Sequence, residues 1–140
     1  LVPINKNNVR CCMQDFNNKL AVITGGASGV GRSLAFAIGR EGGRVLIADV
    51  DQTALTQTQS DLTAAGIDAH SSFCDVSDAN SVNALASKAF DELGGAHLVF
   101  ANAGIGAGEG GAMWEYAAQD WQWAFNVNVW GVISMHSCLD

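Results

Sequence analysis

Four short apolar runs alternate along this chain with segments of helical period, and that alternation restricts the fold more than any other feature. Residues 20–23 (Leu-Ala-Val-Ile) are continuously apolar and stop at Thr24-Gly25-Gly26; residues 44–49, 69–76 and 97–101 repeat the pattern of a buried strand. Between the first two, Val30, Leu34 and Ile38 recur every four positions and Gly42-Gly43 closes a helix. Ala54, Leu55, Leu62 and Ala65 mark a second helix ending at Gly66. A third is capped by Ser77 or Asp78, carries Val82, Leu85, Ala86, Ala89 and Phe90 as its inner stripe, and stops at Gly94-Gly95. A last helix is expected from about Ala118 to the end, with Trp121, Phe125, Val132 and Met135 near one face. Strands without polar alternation, separated by helices, imply βαβ units with right-handed crossovers: an α/β fold with a doubly wound parallel sheet and helices on both faces. Only about four strands are made, so the sheet is expected to be incomplete, with the fourth strand as an edge. One domain is expected over residues 16–140. Residues 1–15 read as a disordered leader, because 1–12 carry no hydrophobic period of either kind.

Composition narrows the function classes. Forty-nine per cent of the 140 residues are hydrophobic, enough for one packed core. Seven Lys and Arg against fourteen Asp and Glu give a formal charge of −7, which repels a phosphate backbone and disfavours nucleic acid as a partner. No apolar run approaches the roughly 20 residues that cross a bilayer, and no signal-peptide pattern opens the chain, so the expected location is the cytoplasm. Cys11, Cys12, Cys74 and Cys138 show no CxxC spacing and read as free thiols; His70 with Cys74 gives two ligands where zinc needs more, so no metal site is expected. Sixteen glycines with one proline point to tight backbone geometry at some site.

That site is the turn after the first strand, Thr24-Gly25-Gly26-Ala27-Ser28-Gly29-Val30-Gly31. Its spacing is GxxxGxG, placed where a strand gives way to a helix, as a dinucleotide cradle must be. Gly25 permits the tight turn, Gly29 lets the backbone approach a pyrophosphate, and Gly31 lets the helix pack on the strand. The helix N-terminus offers unpaired N–H groups and partial positive charge to phosphates. The Gly-Lys-Ser/Thr of a triphosphate-hydrolysing loop is missing, since Arg32-Ser33 follows Gly31. Asp49 ends the second strand eighteen residues beyond Gly31, where a carboxylate accepts hydrogen bonds from a ribose 2′-hydroxyl and repels a 2′-phosphate. NAD is therefore the expected cofactor; Arg32 and Arg44, nearby in sequence, keep NADP as the less favoured one. The competing role for Asp49 is capping the second helix, which Asp51 can perform instead. Asp75 follows the third strand at the ligand-binding edge of such a sheet, positioned to bond an adenine amino group or to cap the next helix. Asn102 ends the fourth strand, where a short amide can tie strand ends together. Asn128, between Val127 and Val129, needs a partner for its amide. A literal GxGxxG at 106–111 is read as a loop, because no strand with a terminal acid follows it.

These motifs, in this order, resemble the short-chain dehydrogenase/reductase family from about Phe16 to the last residue. The turn matches TGxxxGxG; Ala48-Asp49-Val50-Asp51 looks like the NAD-selecting strand end; Cys74-Asp75-Val76-Ser77-Asp78 is similar to the segment whose Asp contacts the adenine; Ala101-Asn102-Ala103-Gly104 resembles NNAG with its first Asn replaced by Ala; and Asn126-Val127-Asn128-Val129-Trp130-Gly131 looks like the VNxxG helix. The resemblance implies a Rossmann-type fold, a cofactor site lined by Gly25, Ser28, Val30, Gly31, Asp49, Asp75, Val76, Asn102, Ala103 and Gly104, and a catalytic-group role for Asn128, which the family uses to hold a water of the proton relay. It also implies subunit packing through the last helix, hence a homo-oligomer, and a small alcohol or ketone as substrate.

The family's reaction further needs a Tyr-x-x-x-Lys pair and a Ser. Tyr116 is the one tyrosine and is followed four residues on by Asp120, and the three lysines, Lys6, Lys19 and Lys88, precede the fourth strand. The expected function is NAD-dependent oxidoreduction, hydride passing between nicotinamide and an alcohol or ketone, with these residues supplying the cofactor-binding half and inactive by themselves. The alternatives are a catalytically silent NAD-binding module, or a structural subunit using the helix that carries Trp121, Trp123 and Trp130.

Overall fold

All five side chains of β1 (Leu20–Thr24) are buried, which a strand achieves only when both faces of its sheet are covered. In the computed structural model, which describes residues 15–107 and 111–139, β1 pairs in parallel with β2 (Arg44–Asp49) from Leu20↔Arg44 to Thr24↔Ala48. β2 pairs with β3 (Ala69–Phe73), and β4 (Leu98–Phe100) joins the other side of β1 through Ala21↔Leu98. The order is β3-β2-β1-β4. The chain thus winds outward through β2 and β3, then returns to lay β4 on the far side of β1, and the switch point lies between β1 and β4. The leader expected over 1–15 falls almost wholly outside the described residues, as do Cys11 and Cys12.

Strand alternation sorts the core into two halves. Leu20, Val22, Leu46 and Ala48 face one side, against Val82 and Leu85 of α3 (Ala79–Ser87) and Met135 and Leu139 of α5 (Gly131–Leu139). Ala21, Ile23, Val45 and Ile47 face the other, against Ala35 and Ile38 of α1 (Gly29–Arg40) and Leu55 and Leu62 of α2 (Gln52–Ala64). Fully burying a side chain of this size contributes roughly 1.5–3 kcal/mol. The helices start on side-chain caps where the sequence offers them: Asp51 accepts from the N–H groups of Thr53 and Ala54, and Asp78, rather than Ser77, accepts from Asn80.

Three expectations need correction. The third strand ends at Phe73, so Cys74-Asp75-Val76 is a loop at the sheet edge and not strand. Phe90 leaves the inner stripe of its helix and is 44% exposed, because α3 widens into a π turn over Lys88–Glu92 and the register rotates. The last helix is also interrupted: α4 (Ala118–Phe125) passes through a π turn at Asn126–Trp130 into α5. Its buried side is Ala124, Val127, Gly131, Met135 and Leu139, while Phe125 and Val132, expected inside, face outward.

Candidate functional site

Thr24, at the C-terminal end of β1, is the hub around which the carboxyl edge of the sheet is built. Its hydroxyl donates to the Phe100 carbonyl (3.3 Å) and accepts from the N–H groups of Asn102 and Ala103 (3.1 Å each). The Asn102 amide then donates to the carbonyls of Thr24 (3.0 Å) and Gly25 (3.3 Å), the tie between strand ends expected of it. Gly25 adopts φ +63°, and a Cβ there would lie 3.0 Å from both Ala103 Cα and Asn102 Nδ2, so no other residue fits without a shift. At Gly31 a Cβ would land on the Gly25 carbonyl oxygen and 2.7 Å from Asn102 Nδ2. Gly31 therefore packs the helix onto the turn. It does not line the cleft, contrary to its place among the expected cofactor contacts.

Gly29 is the opposite case: φ is +51°, and a Cβ would meet nothing within 4 Å. It opens α1 after Ser28, an extended N-cap whose side chain makes no capping bond, and no acidic residue follows in the first turn. The first N–H groups of a helix have no intrahelical acceptor, so this terminus presents donors and partial positive charge to open space. Ala27 is pinned at both ends, its N–H to the Asp49 carboxylate (3.1 Å) and its carbonyl to the buried Thr58 hydroxyl (2.8 Å).

Asp49 takes that bond on one oxygen and the Asp51 N–H (3.2 Å) on the other. Each oxygen keeps a second lone pair, which leaves acceptors for a vicinal diol. Since Asp51 caps α2, the capping role is not Asp49's. Nor does Asp75 cap a helix: its Oδ1 accepts from the N–H (2.9 Å) and hydroxyl (2.7 Å) of Ser77 in a local turn. Beside it, burial pushes the Cys74 thiol up to about 11, against a Ser81 hydrogen bond and with the carboxylates of Asp75 and Asp78 adding to the rise. The two arginines are engaged elsewhere. Arg32 pairs with Asp61 (2.9 Å) and lies over the Phe36 ring; Arg44, at the opposite end of β2 from Asp49, pairs with Asp68 (2.9 Å).

These parts enclose a cleft of about 580 Å³ at the switch point. It is lined by Gly25, Ser28, Val30, Asp49, Asp75, Val76, Asn102, Ala103 and Gly104 of the expected set, and by Gly29. Asn128 stays outside: its Oδ1 accepts from the Ile105 N–H (2.9 Å) and its Nδ2 donates to the Ile105 carbonyl (2.8 Å), a clamp from helix to loop. Val50, Cys74, Ile105, Trp123 and Val127 also line the cleft and were not anticipated. Spacing alone could have flagged Trp123 and Val127, one helical turn apart. Tyr116, outside the lining, packs against Trp121 with the ring centroids 5.9 Å apart and the rings tilted by 53°. Of the glycine-rich loop at 106–111, residues 108–110 lie outside those described. Among the described residues no helix is long and apolar enough to cross a membrane, and no three His, Cys, Asp or Glu side chains converge as metal ligands.

Known proteins share this fold. The family model described as short chain dehydrogenase matches residues 19–139. Over 112 residues the chain is 38% identical to 1-deoxy-11-beta-hydroxypentalenate dehydrogenase of Streptomyces exfoliatus, covering 80% of this chain and 41% of that protein. A short-chain dehydrogenase/reductase from Burkholderia phymatum, solved in complex with NAD, superposes with a TM-score of 0.84 at 44% identity, over 90% of this chain and 44% of that one. A variant of actinorhodin polyketide ketoreductase, solved with NADPH, superposes with a TM-score of 0.82 at 30% identity, over 87% and 46%. The chain thus spans less than half the length of each of these proteins.

Proposed function

Because the chain belongs to the short-chain dehydrogenase/reductase family, we propose that it supplies the dinucleotide-binding half of an NAD-dependent oxidoreductase acting on an alcohol or ketone. The observation that carries this reading is the convergence, in one cleft, of an uncapped helix N-terminus, the open space over Gly29 and the outward lone pairs of Asp49. Gly29 and Ser28 would bring backbone N–H groups to the pyrophosphate. Asp49 would accept from the adenosine ribose hydroxyls, and Asp75 and Val76 would frame the adenine. Asn102, Ala103 and Gly104 would pass beneath the nicotinamide ribose. Bound there, the nicotinamide supplies or accepts the hydride.

Preference for NAD over NADP rests on charge. A 2′-phosphate beside Asp49 would meet a carboxylate already fixed by two backbone N–H groups, with Arg32 and Arg44 held by Asp61 and Asp68. Asn128 is proposed as the catalytic-group member of this half: its clamp on Ile105 sets the loop that leads from the cofactor toward the substrate side. Val129, Trp130 and Ile133, 41%, 57% and 47% exposed, are proposed to meet a second copy of the protein through the last helix, and the cytoplasm is the proposed location. Calorimetry with NAD and NADP on the wild type and Asp49→Ala tests the assignment. NAD should bind the wild type more tightly than NADP and lose affinity about tenfold or more in the variant, the loss of hydrogen bonds to a charged acceptor; equal affinity for both proteins refutes it.

A further inference from the structure

We propose that Trp123 forms the outer wall of the base pocket and stacks on the purine of the bound dinucleotide, a role no motif assigns to it; the proposal rests on the cofactor reading above and adds a residue to that site. The helix register carries the argument. Trp123, Val127 and Gly131 stand four residues apart along α4, the π turn and α5, and they share one stripe: Trp123 and Val127 line the cleft and Gly131 abuts Val76 of its wall. At the bottom of the stripe the helix touches the loop after β3: a Cβ on Gly131 would lie 2.7 Å from Val76 Cγ2 and 3.3 Å from the Val76 carbonyl. One turn higher, Val127 is buried and lines the cleft beside Val76; one turn higher again, Trp123 lines the same cleft with half its surface open.

The cleft is chemically mixed in a way that suits a planar base. Its lining combines the glycine-rich turn at Gly25, Ser28 and Gly29 with the apolar side chains of Val50, Val76, Val127 and Trp123 and the carboxylates of Asp49 and Asp75. Ser77 occupies Asp75 Oδ1, and the other oxygen remains as an acceptor for an exocyclic amino group. Among the described residues the one aromatic pair is Tyr116 with Trp121, so no ring covers the indole of Trp123. A half-exposed indole lining the cleft offers a planar face on which a flat base can stack.

Calorimetric titrations with NAD, AMP and nicotinamide mononucleotide on the wild type, Trp123→Ala, Trp123→Phe and Asp49→Ala test this. Trp123→Ala should weaken AMP and NAD about tenfold, in line with the loss of one base–aromatic stack. Trp123→Phe should recover most of that affinity, nicotinamide mononucleotide should be unaffected, and the tryptophan quenching that AMP causes should disappear from both Trp123 variants. Circular dichroism confirms that each variant is folded, and Trp123→Phe, which keeps a ring, guards against a misfolded alanine variant. Unchanged AMP affinity in Trp123→Ala overturns the proposal, as does a loss confined to nicotinamide mononucleotide. If the wild type binds neither NAD nor AMP, the cofactor reading falls with it; if it binds both and Asp49→Ala weakens them while Trp123→Ala does not, the role of Trp123 alone is refuted.

Discussion

Two glycines two residues apart at the mouth of α1 should respond to alanine in opposite ways, and the contrast tests the account of the turn. Gly31 lies within α1, where replacing glycine by alanine in open surroundings stabilises by roughly 1 kcal/mol. Here the new methyl would sit on the Gly25 carbonyl oxygen and 2.7 Å from Asn102 Nδ2. The helix must withdraw or the turn must open. Overpacking of this kind costs about 1–3 kcal/mol, and weakening the two Asn102 bonds adds about 1 kcal/mol each, so the net expectation is a loss of about 2–4 kcal/mol. At about 3–5 °C per kcal/mol for a chain of this length, Tm should fall by roughly 6–20 °C. Gly29 pays only for its positive φ, about 1–2 kcal/mol, partly offset by the reduced freedom of the unfolded chain. Its methyl would project into open cleft, so Gly29→Ala should lower Tm by only a few degrees yet weaken NAD at least tenfold. Thermal denaturation by circular dichroism and calorimetry with NAD separate the two effects. A Gly31→Ala protein as stable as the wild type refutes the close approach of α1 to the turn, and a Gly29→Ala protein with undiminished NAD affinity refutes the placement of the pyrophosphate.

Other expectations follow from single groups. Thr24→Val keeps the shape but strands the Ala103 N–H, while the Asn102 N–H keeps its bond to the Phe100 carbonyl (2.9 Å); this should cost about 1–3 kcal/mol in urea denaturation; Thr24→Ser should restore most of it. Asn128→Ala should speed hydrogen exchange at the Ile105 amide by about tenfold or more while changing global stability by only about 1 kcal/mol, because both lost bonds are exposed. For Cys74, the unfolded thiol titrates near 9.0 and the folded one near 11, so between those values the native state holds a proton that the unfolded chain has released. Its contribution to stability is complete below pH 9 and is lost as pH rises through 11; Cys74→Ala should flatten the alkaline limb of the stability curve, and at pH 8 Cys138 should react with iodoacetamide before Cys74.

What the sequence made legible follows from where physical rules act locally. The strands were readable because residues 20–23 and 45–48 are buried on both faces, and a continuous apolar run has no other comfortable place. Glycine spacing placed the turn, since Gly25 is demanded by its own positive φ and Gly31 by the Gly25 carbonyl of the same short segment. The helix faces failed where the period changed. The π turns at Lys88–Glu92 and Asn126–Trp130 insert extra residues into a turn, so a 3.6-residue stripe projected through them puts Phe90, Phe125 and Val132 inside when they lie outside. The roles of Thr58 and Ile105 escaped for a different reason: each depends on a neighbour brought from more than 20 residues away, Ala27 and Asn128, and no local pattern records that.

The polar ties at the carboxyl edge form a line, and the line explains why the site can exist before any ligand arrives. Thr24 fixes Asn102 and Ala103; Asn102 fixes Thr24 and Gly25 in return; the loop then runs to Ile105, which Asn128 grips from the last helix. On the other flank, Asp49 and Thr58 hold the two ends of Ala27. A glycine turn left to itself would sample many conformations, and a ligand would have to order it at the expense of its own affinity. Here the loop cannot drift without leaving Thr24, buried to 1% exposure, with unsatisfied bonds. The same line joins the phosphate turn to the π turn: Asn128 holds Ile105, Gly104 and Ala103 carry the chain from there to Asn102, and Asn102 holds the Gly25 carbonyl, so the mouth of α1 and the last helix are tied through one short loop.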